Sequence, residues 1–196
     1  ELVRDRIHFE AVKVDALASR PVIQDLLAIT RAVLHPADRV AAAALLRAPW
    51  CGLRLLELHR VIGELADVDV WQAIAGAQRD HQLPDAVRQR VAGLSRVMRT
   101  AHGLRGNLRL RERVEFAWLR LGGPYAYADA SELDNAAQFF DLLDRTEREG
   151  QGELVERLTE ALAVLYAQER PAKVQLMTIH QAKGLEFDVV ILPGLH

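Results

Sequence analysis

Hydrophobic positions recur at helical spacing through most of this chain and lose that spacing only towards its two ends. Pro21, shortly after Ser19, opens a stretch in which Val22, Ile23, Leu26, Leu27, Ile29, Val33 and Leu34 recur at helical spacing, and His35-Pro36 ends it. A second helix is predicted over residues 38–47, stopped by Pro49. Two more follow over 53–64 and 68–78, the latter with Trp71 and Ile74 facing inward. After Leu83-Pro84, with Asp85 near the helix start, Val87, Val91, Leu94, Met98 and Ala101 mark one apolar face, while Arg88, Arg90, Arg96 and Arg99 lie off it. Leu110, Val114, Ala117, Trp118 and Leu121 continue the pattern until Gly122-Gly123-Pro124, the strongest break in the chain. Residues 133–145 carry Phe139, Phe140, Leu142 and Leu143, and residues 154–166 carry Leu158, Leu162 and Leu165.

Strand patterns are confined to the ends. Residues 7–14 alternate as Ile7, Phe9, Val12 and Val14, with one interruption at Ala11. Residues 174–179 and 188–192 are two further β-prone runs, and between them lies a polar turn carrying His180, Lys183, Gly184 and Glu186. A strand, a charged turn and a buried strand form the edge of a site. The expected fold class is therefore mainly α with a small β-sheet formed by the termini: 7–14 and 174–192 in one sheet, and 21–168 as a helical body projecting from it.

Composition narrows the classes. With 196 residues, half of them hydrophobic, the chain can bury a core as one large or two small domains. It contains no run of eighteen apolar residues and no leader pattern, so neither membrane nor export is expected, and the cytoplasm is the expected location. Cys51, next to Trp50, is the single cysteine; this excludes an intramolecular disulfide and reads as a small core hydrophobe. The seven histidines show no metal-ligand spacing, and no Ser, Cys or Lys joins a His and an acid in a catalytic order. Glu147, Glu149, Glu153, Glu156 and Glu160 fit a solvated helix face rather than a set of paired catalytic carboxylates.

Net charge is −2, so bulk charge does not mark a nucleic-acid binder, but the charges are unevenly distributed. Residues 79–120 hold ten arginines against four acids, and residues 129–169 hold eleven acids against three arginines. The basic block can track a duplex backbone or pack against the acidic block, and the second reading is favoured because adjacent blocks of opposite sign neutralise each other.

The segment Thr178-Ile-His-Gln-Ala-Lys-Gly-Leu-Glu-Phe187 resembles the fifth conserved motif of superfamily 1A DNA helicases, the UvrD, Rep and PcrA type with their RecB and AddA relatives. The resemblance implies that Thr178 and His180 contact the phosphodiester backbone of single-stranded DNA, since a hydroxyl and an imidazole N–H can donate to phosphate oxygens. It places Glu186 towards ATP, accepting from a ribose hydroxyl, with Gly184 and Lys183 beside it on the nucleotide side. Lys183 stays open between a ligand contact and a structural ion pair.

In this family a RecA-like domain, 2A, is interrupted before its fifth motif by a helical insertion, 2B. The implied division is residues 1–20 and 171–196 in domain 2A and 21–170 as a 2B-type insertion. Arg47-Ala-Pro-Trp-Cys-Gly-Leu53 leans towards the RecB and AddA branch, that of exonuclease V, which acts in repair and recombination. ATP, Mg²⁺ and both single-stranded and duplex DNA are then expected for the intact parent, with a nuclease or second helicase subunit as a further partner.

None of Lys13, Lys173 and Lys183 follows a glycine, so the phosphate-cradling loop of such a motor is absent. The chain accordingly reads as a piece of a larger protein that neither binds ATP tightly nor hydrolyses it alone. The competing reading is a helical protein-interaction module without helicase activity.

Overall fold

The computed structural model describes residues 9–11, 16–63, 70–150, 153–166 and 173–193. The chain divides into two compact units, Ala16–Gln168 and the pair Glu1–Asp15 with Glu169–His196. The expected fold class holds: the chain is mainly α, and its sheet among the described residues is built from the two ends.

In the larger unit the first helix, α1 (Pro21–Leu34), packs against four others and forms the middle of the core. Pro21 occupies the first turn, where its missing N–H costs nothing. Val22, Ile23, Leu26, Ile29 and Val33 are buried along its length. No glycine caps its end; side chains from two later helices, α5 (Asp85–Gly103) and α6 (Leu110–Arg120), satisfy its last carbonyls instead. His102 on α5 lies 2.8 Å from the Ala32 carbonyl. Arg113 on α6 donates to the Val33 carbonyl at 3.2 Å and, through Nε, to Ala101 at 2.9 Å. A guanidinium belongs at helix C-termini, where partial negative charge accumulates. Burial, with Arg105 nearby, nevertheless lowers the Arg113 pKa.

The second helix, α2 (Arg39–Arg47), is capped by Asp38, which accepts from the Ala41 N–H at 2.9 Å and from Arg31 Nε at 2.9 Å. The helix α3 (Leu55–Ile62) starts after the expected 53, and α4 (Val70–Gly76) gives way to a 3₁₀ turn at Ala77–Arg79, while the expected end at 64 and start at 68 lie outside the described residues. Cys51 is fully buried ahead of α3, and its thiol is pushed up to about 11 by burial, as a core hydrophobe requires.

Between α6 and the long helix α7 (Ser131–Arg148) the Gly-Gly-Pro break has two separate causes. Gly122 sits at φ +80°, and a Cβ on Gly123 would run into the Trp118 indole. α7 extends past the expected 133–145 at both ends, and at its start Ser131 and Glu132 are buried, with Arg20 pairing with Glu132 at 2.7 Å. The last helix, α8 (Leu154–Ala163), stops before the expected 166, and Tyr166 instead forms an antiparallel bridge with Ala16. Phe139, Leu143, Met98 and Leu158 have no exposed surface, and each such side chain contributes about 1.5–3 kcal/mol by leaving water.

In the smaller unit β1 (Phe9–Ala11) pairs in parallel with β2 (Val174–Leu176), in the register Phe9 with Val174 and Ala11 with Leu176. Parallel neighbours need a long crossover, and here the connection is the entire helical unit. The flanks of the expected 7–14 strand lie outside the described residues.

Residues 188–192 correct the expectation: they form no strand, and Val189, Val190, Ile191 and Leu192 are 77, 64, 82 and 52 % exposed. A parallel strand is buried only where strands flank it and helices cover both faces. Among the described residues of this unit there are two three-residue strands and no helix, and the run pairs with neither strand.

Candidate nucleic-acid and nucleotide site

The polar turn begins directly after β2. Thr178 opens it, its carbonyl accepting from the Gln181 and Ala182 amides at 3.0 and 3.1 Å, and the Leu185 amide then donates to Ala182 at 3.0 Å. The two side chains at its start close on each other's backbone. Gln181 Oε1 accepts from the Thr178 amide at 3.1 Å, and Thr178 Oγ1 accepts from the Gln181 amide at 3.4 Å. This reciprocal pattern is the one a capping box makes at the first turn of a helix.

Gly184 follows at φ +84°, and a Cβ there would meet nothing within 4 Å. The glycine is needed for its backbone conformation and not for space. The segment then leaves the turn and runs on without regular secondary structure through Glu186.

Thr178, His180, Lys183, Gly184 and Glu186 are all exposed. Thr178 and His180 lie within one hydrogen-bonded turn, Lys183 and Gly184 close it, and Glu186 lies beyond it. Lys183 makes no ion pair with another described residue, so the structural ion-pair reading gains no support among them. Each group is open to a ligand. A hydroxyl whose lone pair is engaged by the Gln181 amide still has its own proton to donate, and a phosphate oxygen is an acceptor. The carboxylate of Glu186 can only accept, which suits a sugar hydroxyl and not a phosphate.

The UvrD-like helicase C-terminal domain family matches residues 85–196, from the first residue of α5 through the whole of this turn. The chain belongs to that family. Over 99 % of its length it is also similar to the ATP-dependent DNA helicase Rep of Escherichia coli strain K12, at 28 % identity. A similar match, at 24 % identity over 99 % of the chain, is the ATP-dependent DNA helicase PcrA of Bacillus subtilis strain 168. The chain spans 32 % of the length of Rep and 29 % of PcrA, about a third of the relatives it matches.

Within this UvrD-like chain the basic block separates into two groups. Several of its arginines are taken up by acids, one across the two charge blocks, as the opposite-charge reading expects, and two within the basic block itself. Arg109 pairs with Asp144 on α7 at 2.9 Å, Arg111 with Glu115 at 2.7 Å, and Arg88 with Asp85. Glu147 also crosses to α6, accepting from the Leu110 and Arg111 amides at 2.7 and 3.2 Å, where a carboxylate meets the positive end of the helix. Arg96, Arg99, Arg105 and Arg120 are exposed and make no ion pair with another described residue. Arg96 and Arg99, three positions apart on α5, share one side of that helix.

Two features of the site went unread in the sequence. Gln181 has a readable signal, the Thr-x-x-Gln spacing of a capping box, which was overlooked because position 181 is not a defining one in the helicase motif. The burial of Arg113 has no local signal, since it is set by carbonyls at the ends of two other helices.

Proposed function

We propose that this chain is part of an ATP-dependent DNA helicase, in which residues 1–20 and 171–196 belong to the RecA-like domain 2A and residues 21–170 form a 2B-type helical insertion. Thr178 and His180 hold the single-strand backbone, and Glu186, with Gly184 and Lys183, borders the nucleotide. The observation that carries this reading is the exposed, locally hydrogen-bonded turn in which the motif residues are presented, in a chain of the UvrD-like family. Because one short segment contacts both ligands, movement of the strand and turnover of ATP are coupled through its backbone.

ATP and Mg²⁺ belong to the whole protein. The sequence has no phosphate-cradling loop, and no group of three His, Cys, Asp or Glu among the described residues could hold a metal. What this chain offers ATP is one acceptor at its edge, worth about 1 kcal/mol net. The helical unit contributes duplex positioning through Arg96 and Arg99. The Arg47-Ala48-Pro49 and Gly52-Leu53 pattern favours the RecB and AddA branch, with a repair or recombination role and a nuclease or second helicase subunit as partner. Buried Cys51 suits a reducing cytoplasm.

The test is the ATPase of the full-length protein carrying His180→Ala or Glu186→Ala, titrated separately with single-stranded DNA and with ATP. The first variant shifts the strand titration and the second shifts the ATP titration. If each variant moves both equally, or neither, the assignment fails.

A further inference from the structure

We infer that Gln181 is a positioning residue for strand binding, acting through Thr178 and the backbone that carries His180; this rests on the functional reading above. The argument begins with the two hydrogen bonds between residues 178 and 181. The Gln181 side chain holds the Thr178 amide at 3.1 Å, and the Thr178 hydroxyl receives the Gln181 amide at 3.4 Å. Ile179 and His180 are the two residues enclosed by that pair.

The turn is largely exposed to water and follows a three-residue strand, so local hydrogen bonds weigh heavily in its order. Ile179 is 70 % exposed and supplies no apolar anchor. The backbone at His180 is therefore set by the reciprocal pair and by the Gln181 and Ala182 amides that donate to the Thr178 carbonyl. Without the Gln181 acceptor the Thr178 amide loses its side-chain partner, and the turn samples more conformations. Binding then has to order it, and the cost appears in strand affinity.

The same pair gives the Thr178 hydroxyl a direction. A threonine oxygen can donate one proton and accept through two lone pairs. With the Gln181 amide on the acceptor side, the hydroxyl proton is left for an outside acceptor. An anionic phosphate oxygen is such an acceptor, and a carboxamide or carbonyl on a protein partner is a weaker one. The main-chain amide of Gln181 thus leaves the Thr178 proton to an anion, and the Gln181 side chain, by holding the Thr178 amide, keeps the two in register.

The experiment uses the full-length protein with Gln181→Ala, Gln181→Glu and His180→Ala, measuring ATPase rate against single-stranded DNA and against ATP. Glutamate keeps an acceptor at the same reach, as the capping box permits. Its added charge is screened by running the series at about 0.3 M salt, where the Debye length falls below about 8 Å. Gln181→Ala raises the half-saturating strand concentration about fivefold, the size of a lost cap, while the KM for ATP and the rate at saturating DNA stay within about twofold. Gln181→Glu restores the strand titration to near wild type. A wild-type strand titration for Gln181→Ala, a Gln181→Glu variant as impaired as the alanine, or an equal rise in the KM for ATP overturns the role of Gln181. The His180→Ala control separates the two claims: if it is impaired and Gln181→Ala is not, only the Gln181 assignment falls, whereas an unimpaired His180→Ala removes the functional reading itself.

Discussion

Tyr127→Phe removes one hydroxyl from the margin of the helical unit's core and nothing else. That hydroxyl donates to Asp25 on α1 at 2.6 Å and joins the first helix to the segment leading into α7. Burial raises the Asp25 pKa above its usual 3.8, and the Tyr127 hydrogen bond opposes that rise. The Tyr127 pKa is raised by burial and by Asp25 as its acceptor, so the hydroxyl keeps its proton throughout the working range. A hydrogen bond to an ionised carboxylate contributes about 1.5–3 kcal/mol, and one to a neutral carboxyl about 0.5–1.5. Both side chains are only half-buried, so solvent screening places each figure at the low end of its range.

The pH dependence follows from the sign of the shift. An acid whose folded pKa lies above its unfolded value makes the native state lose stability as pH rises from the unfolded value through the folded one. Removing the donor raises the Asp25 pKa further and deepens that loss. Urea denaturation followed by circular dichroism should therefore show Tyr127→Phe destabilised by about 1.5 kcal/mol at pH 7, with the ionised acceptor, and by about 0.5 kcal/mol at pH 3.5. Phenylalanine fills the same volume, so no cavity term enters. Equal losses at the two pH values, or a larger loss in acid, would refute the reasoning.

Asp38→Ala should cost about 1 kcal/mol, the usual figure for an N-cap, in the same urea assay at pH 7. Burial pushes the Asp38 pKa up, but the Ala41 amide and Arg31 together bring it below 3.8, so the cap's contribution is present above pH 3.8 and fades as pH falls through the folded value. In the full-length protein, Arg96→Ala with Arg99→Ala should weaken duplex binding to a similar extent for unrelated sequences and reduce the slope of log affinity against log salt by about 2, since each arginine neutralises about one phosphate. An unchanged slope in a salt titration by fluorescence anisotropy assigns those arginines to solvent alone.

The helices were legible wherever an apolar face coincided with a local stop or start. Pro21, Asp38, Pro84 with Asp85, and Gly122-Gly123-Pro124 each mark a boundary that the structure keeps within a residue or two. The errors lie where a distant partner decides. Ser131 and Glu132 lie ahead of the expected 133–145, yet Arg20, more than a hundred residues earlier, pairs with the buried Glu132 inside α7. Arg113 read as one member of a basic block, yet it is buried on the carbonyl ends of α1 and α5.

At the candidate site, the polar turn following a β-prone run was legible, and Gly184 occupies the left-handed conformation its place in the turn requires. Residues 188–192 were misread because hydrophobicity was taken to imply burial. An apolar run becomes a buried strand only when other strands and helices enclose it. The charge blocks were half legible: their opposite signs anticipated a cross-pair such as Arg109 with Asp144, but could not tell which arginines would remain on the surface.

The measurement that bears most directly on the central claim is the ATPase of the full-length protein with His180→Ala and Glu186→Ala, titrated with single-stranded DNA and with ATP. His180→Ala should raise the strand half-saturation by about tenfold, corresponding to about 1–2 kcal/mol for a lost phosphate contact, with the KM for ATP unchanged. Glu186→Ala should raise the KM for ATP by about fivefold, for one lost hydrogen bond, and leave the strand titration in place. Wild-type values for both ligands in both variants would contradict the account, because the two exposed side chains would then touch neither the strand nor the nucleotide.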